Sequence, residues 1–461
     1  MDNIDKLLRN FCYCFIIFCF PNLIMFLIAP LIVSVNYSDI KNFIFLTAIN
    51  LIIFLIILIL GFFNNKKKIN KYFCFFAMSI FINILFRFLN ADVMSSDYVN
   101  FLQKWVSAYR NMSLKSCFAS NISNYSPPYN YFLILFSRIP FRDLYLIKTL
   151  SFIFEIMSAF VLTKLIAYIN KANFNIMIFA SILFIPIFLI NSSVWAQCDS
   201  IYTFFGLMAI YSAIKGKSKG SFLFFGISLA FKLQAIILFP VALVLLLTKN
   251  EDGNRFLKWK DMWWAAIGYA SLSGIAMIFG GSFEWAFLTY FKQSVTYNEL
   301  SSLCPNLAYL FNMFNEVPII KVVIMISLIV LTIGVMCYIL IIFIKKKILS
   351  NLQVINLSFL ISFYIVLLMS KMIDRYFYLS NLFGIVLLFT WKNKMYKKAI
   401  FITLLSSFAA HASSTAYIYT FGDTNFLAYC LYFSISISAI YNVIIGVLIF
   451  FVRKKIEIVN K

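Results

Sequence analysis

Apolar runs, most of them as long as a bilayer-spanning helix, recur from one end of this chain to the other. They fall at about 11–34, 42–63, 71–89, 146–169, 175–193, 201–214, 262–279, 318–344, 352–370, 376–391, 399–418 and 427–452. Roughly 20 such residues cross the hydrocarbon core as a helix, and hydrocarbon offers no water to backbone groups left unpaired. With 63% hydrophobic and only 12% charged residues, against roughly 25% charged in soluble domains, the expectation is an all-α polytopic membrane protein. It has about 12 transmembrane helices in a single membrane-embedded domain over 1–461. Within it, 1–70 forms N-terminal helices, 90–145 a first outer loop, 146–260 the core helices and 261–461 the C-terminal helices. The opening MDNIDKLLRNFCYCF has no small-residue cleavage site and reads as a signal anchor.

One stretch, 221–248, does not fit a simple crossing: Lys232 and Gln234 interrupt its middle and Pro240 follows. The positive-inside rule decides how it runs. Basic clusters at Lys66–Lys68, Lys215–Lys219, Lys249–Lys260, Lys345–Lys347, Lys392–Lys398 and Arg453–Lys455 share one side only if 221–248 enters and leaves by the same face. It is therefore expected to be a re-entrant or short-helix hairpin with Lys232 and Gln234 near its apex. Irregular backbone at that depth is tolerated only where it is buried in protein or lines a wet cavity. The net charge of +22 then reports orientation and attraction to membrane lipids, and nucleic acid is excluded as a partner. Nine scattered cysteines contain no CxxC pair; Cys117 and Cys304 fall in outer loops where a disulfide is conceivable, and Cys12 and Cys14 read as small core residues.

The same topology gathers the polar clusters outside: Asp92 to Arg142, Trp195 to Ser200, Glu284 to Asn315, Lys371 to Arg375 and Phe421 to Asn425. In SSDYVNFLQKW, Asp97, Phe101 and Trp105 recur at helical spacing, as in an interfacial helix with its aromatics in lipid. Asp97 reads two ways, as a carboxylate that takes a proton from an attacking hydroxyl or as a helix N-cap after Ser95-Ser96. Pro127-Pro128, framed by Tyr125, Tyr129 and Tyr131, reads as an extended turn, either sugar-facing or a plain re-entry turn. Glu155 lies in an apolar run, functional or satisfied by Lys148 or a polar group on another helix. Lys232 at depth needs a lipid phosphate or a carboxylate to compensate it. Arg375, with Lys371 and Asp374 beside it, suits bidentate phosphate binding or snorkels at a membrane edge. The lone His411 reads as structural, and no Walker loop, dinucleotide glycine motif or HExxH occurs. Sequons at Asn36, Asn111, Asn121 and Asn124 matter only in a glycosylating host.

In this order along the chain, these stretches resemble the GT-C superfamily of integral membrane glycosyltransferases, in particular bacterial relatives of the mannosyltransferase that adds the second mannose to GPI anchors. The resemblance rests on Asp97, Tyr98, Phe101 and Trp105; on Tyr125, Pro127, Pro128 and Tyr131; and on Lys148, Ser151 and Glu155. It continues through Trp195, Gln197, Asp199, Ser200 and Tyr202; Phe231, Lys232, Gln234 and Pro240; Pro305, Asn306 and Leu310; and Met372 to Tyr376. Ile373 stands where relatives often have histidine, and the family more often has Asp where Glu155 stands.

The resemblance implies transfer of a sugar, a hexose such as mannose, from a polyprenyl-phosphate donor to an envelope glycan, lipid or protein acceptor on the outer face of the bacterial cytoplasmic membrane. Asp97 is then the catalytic base or acceptor-positioning carboxylate. Lys232, Gln234, Arg375, Lys371 and Arg138 would hold the lipid phosphate. Trp195, Gln197, Asp199, Tyr98, Trp105, Tyr129 and Asp92 would shape the sugar pocket, supported by Glu155, Asn306 and Asp374. It implies no cofactor and no protein-held metal, with a divalent ion left open. The alternative class is a lipid-linked oligosaccharide flippase or a polysaccharide transporter or polymerase. A transporter predicts paired broken helices in two repeats, whereas one interrupted hairpin is visible here.

Overall fold

The computed structural model describes residues 71–293, 299–393, 396–398, 400–401, 403–404 and 435–449. His411, Asn36, Cys12, Cys14, the expected N-terminal helices and the 421–425 loop lie outside these residues. The described chain is mostly helical, and its only strands are two residues each. Among the described residues three helices are long and apolar enough to cross a membrane: Asp143–Ile169, Pro318–Lys345 and Asn351–Leu368. The bent pair Ile176–Leu183 and Ile187–Ser193 makes a fourth if it is one span. Several shorter apolar helices surround them.

In chain order the elements that carry the site are α1 (Lys71–Leu89), α2 (Gln103–Arg110), α3 (Pro127–Arg138), α4 (Asp143–Ile169), α5 (Ile176–Leu183) and α6 (Pro186–Ser193). There follow α7 (Asp199–Ile214), α8 (Ser218–Phe231), α9 (Phe239–Leu247), α10 (Trp263–Ser273), α11 (Pro318–Lys345), α12 (Asn351–Leu368) and α13 (Tyr378–Thr390). Helix α12 is buried on nearly every face, and it packs with α13 into the main core, whereas α11 leaves a run of Ile and Val side chains exposed. That contrast separates the centre of the bundle from its apolar perimeter.

The 221–248 stretch is two helices that end on the side where they began. Helix α8 stops at Lys232, whose backbone is extended (φ −157°, ψ 137°), and a 3-10 turn, Leu233–Leu238, leads into α9. The start of α8 and the end of α9 meet the same short segment, through Lys258 N donating to Ser218 Oγ (2.9 Å) and Leu257 N donating to Leu245 O (3.4 Å). Lys232 thus sits at the far end. Helix α8 lies backbone to backbone against α10: a Cβ on Gly226 would come within 1.9 Å of Ala265 O, and one on Gly268 within 2.2 Å of Leu223 O. Small residues permit that approach where the interior of a bundle has no hydrophobic gain to draw helices together.

Buried charges fix α1 and α4. Helix α4 carries Lys148 and Glu155, and they do not pair with each other. Lys148 Nζ donates to the carbonyls of Asn90 (2.8 Å), Ala91 (3.0 Å) and Val93 (2.7 Å), closing the C-terminal end of α1, where a cation meets the negative end of the helix dipole. Glu155 pairs with Arg87 of α1 (2.8 Å) and accepts from Ser192 Oγ (3.0 Å). Arg87 also donates to Asn83 Oδ1 and Ser192 Oγ and stacks on Phe152. Glu155 is therefore paired with a residue of another helix through Oε2, the second of its two readings.

Pro127-Pro128 opens α3 and is not an extended turn. Proline at the first helical positions loses nothing, because those amides have no intrahelical acceptor anyway. Cys117 and Cys304 are both buried free thiols.

Candidate active site

Four segments far apart in sequence converge on one cleft. Asp97 ends the loop after α1, just before a π-helical turn at Tyr98–Leu102. Its carboxylate caps nothing: Ser95 Oγ accepts from Tyr98 N (3.2 Å) in its place. Ser95 Oγ also donates to Trp195 O (2.7 Å), stapling this loop to the turn between α6 and α7. In that turn Ala196, fully buried, holds a left-handed backbone (φ 54°) that a non-glycine residue adopts at some cost. The result aims Gln197 at Asp97, with Gln197 Nε2 donating to Asp97 Oδ2 at 2.7 Å. Gln197's backbone is fixed separately, its N–H by Asn191 O (3.0 Å) and its carbonyl by Ser151 Oγ (2.7 Å).

Arg375 comes from the short 3-10 turn Asp374–Phe377 between α12 and α13. A two-residue parallel ladder, Ser301–Ser302 on Met372–Ile373, and Lys371 N donating to Leu300 O (2.7 Å) pin that turn. Asn306 secures the same loop, donating to Val366 O (3.1 Å) and Met369 O (3.0 Å). The Arg375 guanidinium bridges two carboxylates, with Nη1 2.8 Å from Asp97 Oδ2 and Nε 3.8 Å from Asp199 Oδ2. Behind it Lys232 Nζ meets Asp199 Oδ1 at 2.5 Å, and Asn191 Nδ2 donates to Asp199 Oδ2 at 3.0 Å. Acids and bases thus alternate along one line: Asp97, Arg375, Asp199, Lys232. Burial works against the Arg375 charge, but Asp97, Asp199 and Asp374 more than offset it and hold its pKa above the ordinary guanidinium value.

The cleft has a volume of about 50 Å³ and is walled by Asp97, Gln197 and Arg375 with the rings of Phe101, Trp105, Tyr125 and Tyr129. The Tyr129 hydroxyl is buried with no hydrogen-bond partner, and so is Arg375 Nε. Buried polar atoms are rarely left so, and both line or adjoin the cleft. Burial pushes the Tyr125 and Tyr129 hydroxyls well above the ordinary phenol range; they are neutral donors at any working pH.

Of the expected site residues, Asp97, Trp105, Tyr129, Gln197 and Arg375 line this cleft. Trp105 faces protein, not lipid, with its ring 5.7 Å from Tyr125. Asp199 and Lys232 sit directly behind, fully and almost fully buried, each neutralising the other. Lys232 is therefore compensated by a carboxylate, and Asp199 is not at the outer surface. Asp374 lies beside Arg375, its Oδ1 accepting from Arg375 N at 2.8 Å.

The others do not reach it. Asp92 is held by Arg142 and Tyr145. Tyr98 donates to Asp143 Oδ2 (3.1 Å) from a buried position. Arg138 donates to Tyr109 O (3.0 Å) and Met112 O (2.6 Å), closing the end of α2. Trp195 packs with Phe86, Leu189 and Ile190. Gln234 and Lys371 are absent from the cleft wall; Gln234 Oε1 is buried without a partner, and Lys371 takes a left-handed backbone (φ 60°). Asn306 and Glu155 act as struts. Ser151, already in the Lys148–Glu155 motif, is needed in this frame, as are Asn191 and Arg87, which no motif singles out; Asn83, one turn before Arg87 in an apolar helix, is the one visible sign. Among the described residues no group of three His, Cys, Asp or Glu could hold a metal ion. No family model matches the chain, and no curated protein matches it in sequence.

Proposed function

We propose that this chain is a membrane glycosyltransferase of the GT-C kind, moving a hexose from a polyprenyl-phosphate donor to an acceptor hydroxyl on the outer face of a bacterial cytoplasmic membrane. What carries the reading is one juxtaposition. A partly exposed carboxylate, Asp97, and a charged arginine, Arg375, wall the same aromatic-lined cleft. Acid and cation are what sugar transfer from a phosphate needs at its two ends.

In the reaction the acceptor hydroxyl gives its proton to Asp97 as its oxygen attacks the anomeric carbon. The bond from that carbon to the phosphate oxygen breaks, its electron pair goes to the oxygen, and polyprenyl phosphate leaves. Arg375 neutralises the charge that grows there, most effectively in a site closed to water. Phe101, Trp105 and Tyr125 offer ring faces to the sugar, and the Tyr129 hydroxyl offers it a hydrogen bond. Asp199 and Lys232 keep Arg375 in place without touching substrate. Phe101 is exposed where it walls the cleft, so a ring face is open to an incoming sugar.

The test is transfer from labelled polyprenyl-phosphate hexoses into lipid, glycan or protein fractions of membranes carrying the protein. Wild type is expected to use one donor. Asp97→Asn, the same size and unable to take the proton, should lose about 10²–10⁴-fold in rate at unchanged protein level. Wild-type membranes that transfer from no polyprenyl-phosphate sugar would contradict the reading; full transfer by Asp97→Asn would remove Asp97 as the base.

A further inference from the structure

The two charged groups that wall the cleft are bound to each other. Asp97 Oδ2 receives both Arg375 Nη1 (2.8 Å) and Gln197 Nε2 (2.7 Å). So long as the arginine is spent on Asp97, both groups are partly occupied: the guanidinium has one fewer fork for a phosphate, and Asp97 Oδ2 is already taken. The two bonds to Asp97 differ in how they are anchored. Arg375 reaches it at the end of a long side chain whose Nε lacks a hydrogen-bond partner. Gln197 is held at its backbone on both sides, by Asn191 O and Ser151 Oγ, next to the strained Ala196. The Ser95 staple to Trp195 O keeps the Asp97 loop beside it.

We infer that a ligand's phosphate and Asp97 compete for the Arg375 guanidinium, and that Gln197 is the positioning residue that retains Asp97 in the cleft once the phosphate has taken Arg375. The identity of the phosphate as a polyprenyl phosphate rests on the glycosyltransferase reading. Donor entry then does two things at once: it anchors the phosphate and it releases one bond from the carboxylate that must accept the acceptor's proton.

Competition makes a prediction opposite to the usual one for a site residue: removing the carboxylate should tighten binding. An affinity is lowered by the fraction of protein held in the incompetent state, and Asp97→Asn abolishes that state. The experiment measures binding to the full chain in nanodiscs by native mass spectrometry and by fluorescence of the cleft Trp105. The probes are polyprenyl phosphate, the matching polyprenol without phosphate, and inorganic phosphate. Asp97→Asn, with Asp97→Ser as a second variant should the first fold poorly, is expected to bind polyprenyl phosphate about tenfold tighter than wild type. Arg375→Gln should bind it at least about tenfold more weakly, and the polyprenol should respond to neither. Tightening of inorganic phosphate by the same factor also supports the competition and assigns recognition to the phosphate alone.

Gln197→Ala is expected to keep its affinity for polyprenyl phosphate within about twofold while kcat falls about tenfold at unchanged KM, because only the placement of Asp97 is lost. A purely structural glutamine would change both together. If wild type binds polyprenyl phosphate and the Asp97 variants bind it equally or more weakly, the competition is refuted and the glycosyltransferase reading stands. If neither wild type nor the Asp97 variants bind it, the glycosyltransferase reading itself fails and the competition falls with it.

Discussion

Replacing Arg375 with alanine is expected to lower sugar transfer by about 10³-fold or more, the scale of losing a fixed cation that meets charge growing in a transition state. Arg375→Lys should recover little of this. The guanidinium spans two carboxylates with different nitrogens, 2.8 Å from Asp97 and 3.8 Å from Asp199, and an ammonium on a flexible stem cannot hold both while meeting a phosphate. The protein should still fold, because Asp199 keeps Lys232 and Asn191 as partners. The comparison therefore needs transfer rates normalised to folded protein from a gel-filtration peak. A lysine variant with near wild-type rates would reduce Arg375 to a general positive charge.

The second large effect concerns stability. Lys232→Met should destabilise the protein by about 3 kcal/mol, since removing the nearer partner of a buried pair leaves Asp199 only the more distant Arg375 as counter-charge. Asp199 is fully enclosed, and Lys232 is its closest counter-charge at 2.5 Å. Lys232→Met combined with Asp199→Asn should regain most of the loss, because it removes both charges together. Thermal unfolding of the detergent-solubilised chain reads the cycle. Were Lys232 a phosphate ligand and nothing more, the single variant would unfold at the wild-type temperature, and only donor binding would suffer.

The architecture was open to reading from sequence wherever it depended on one segment at a time. Apolar length marks Asp143–Ile169, Pro318–Lys345 and Asn351–Leu368, and the Lys232 and Gln234 interruption with charge bookkeeping marks the hairpin. Asp97, Gln197 and Arg375 stand out because polar groups at the ends of apolar runs are few. Which acid faces which base is a different matter. Lys148 and Glu155 share one face of a helix and suggest each other, yet each is claimed by a neighbour: Lys148 by three carbonyls at the end of α1, Glu155 by Arg87. Asp92 and Asp97 lie five residues apart, and the turn between them sends one to Arg142 and the other to the cleft. Such choices follow from the rotation of packed helices and the path of loops, and periodicity carries neither. The Pro127-Pro128 pair is ambiguous for a local reason, because the same fixed φ serves an extended turn and the first turn of a helix.

Sugar transfer of this kind requires a lipid phosphate to reach Arg375 in a cleft that Asp97 shares. The most direct measurement is photocrosslinking of the full chain in nanodiscs with a polyprenyl phosphate carrying a diazirine beside the phosphate, mapped by mass spectrometry. Adducts on the peptides bearing Phe101 to Trp105, Tyr125 to Tyr129 and Arg375, lost when unlabelled polyprenyl phosphate is added in excess, are the predicted result. Adducts confined to the exposed perimeter of Pro318–Lys345, indifferent to competitor, would contradict it.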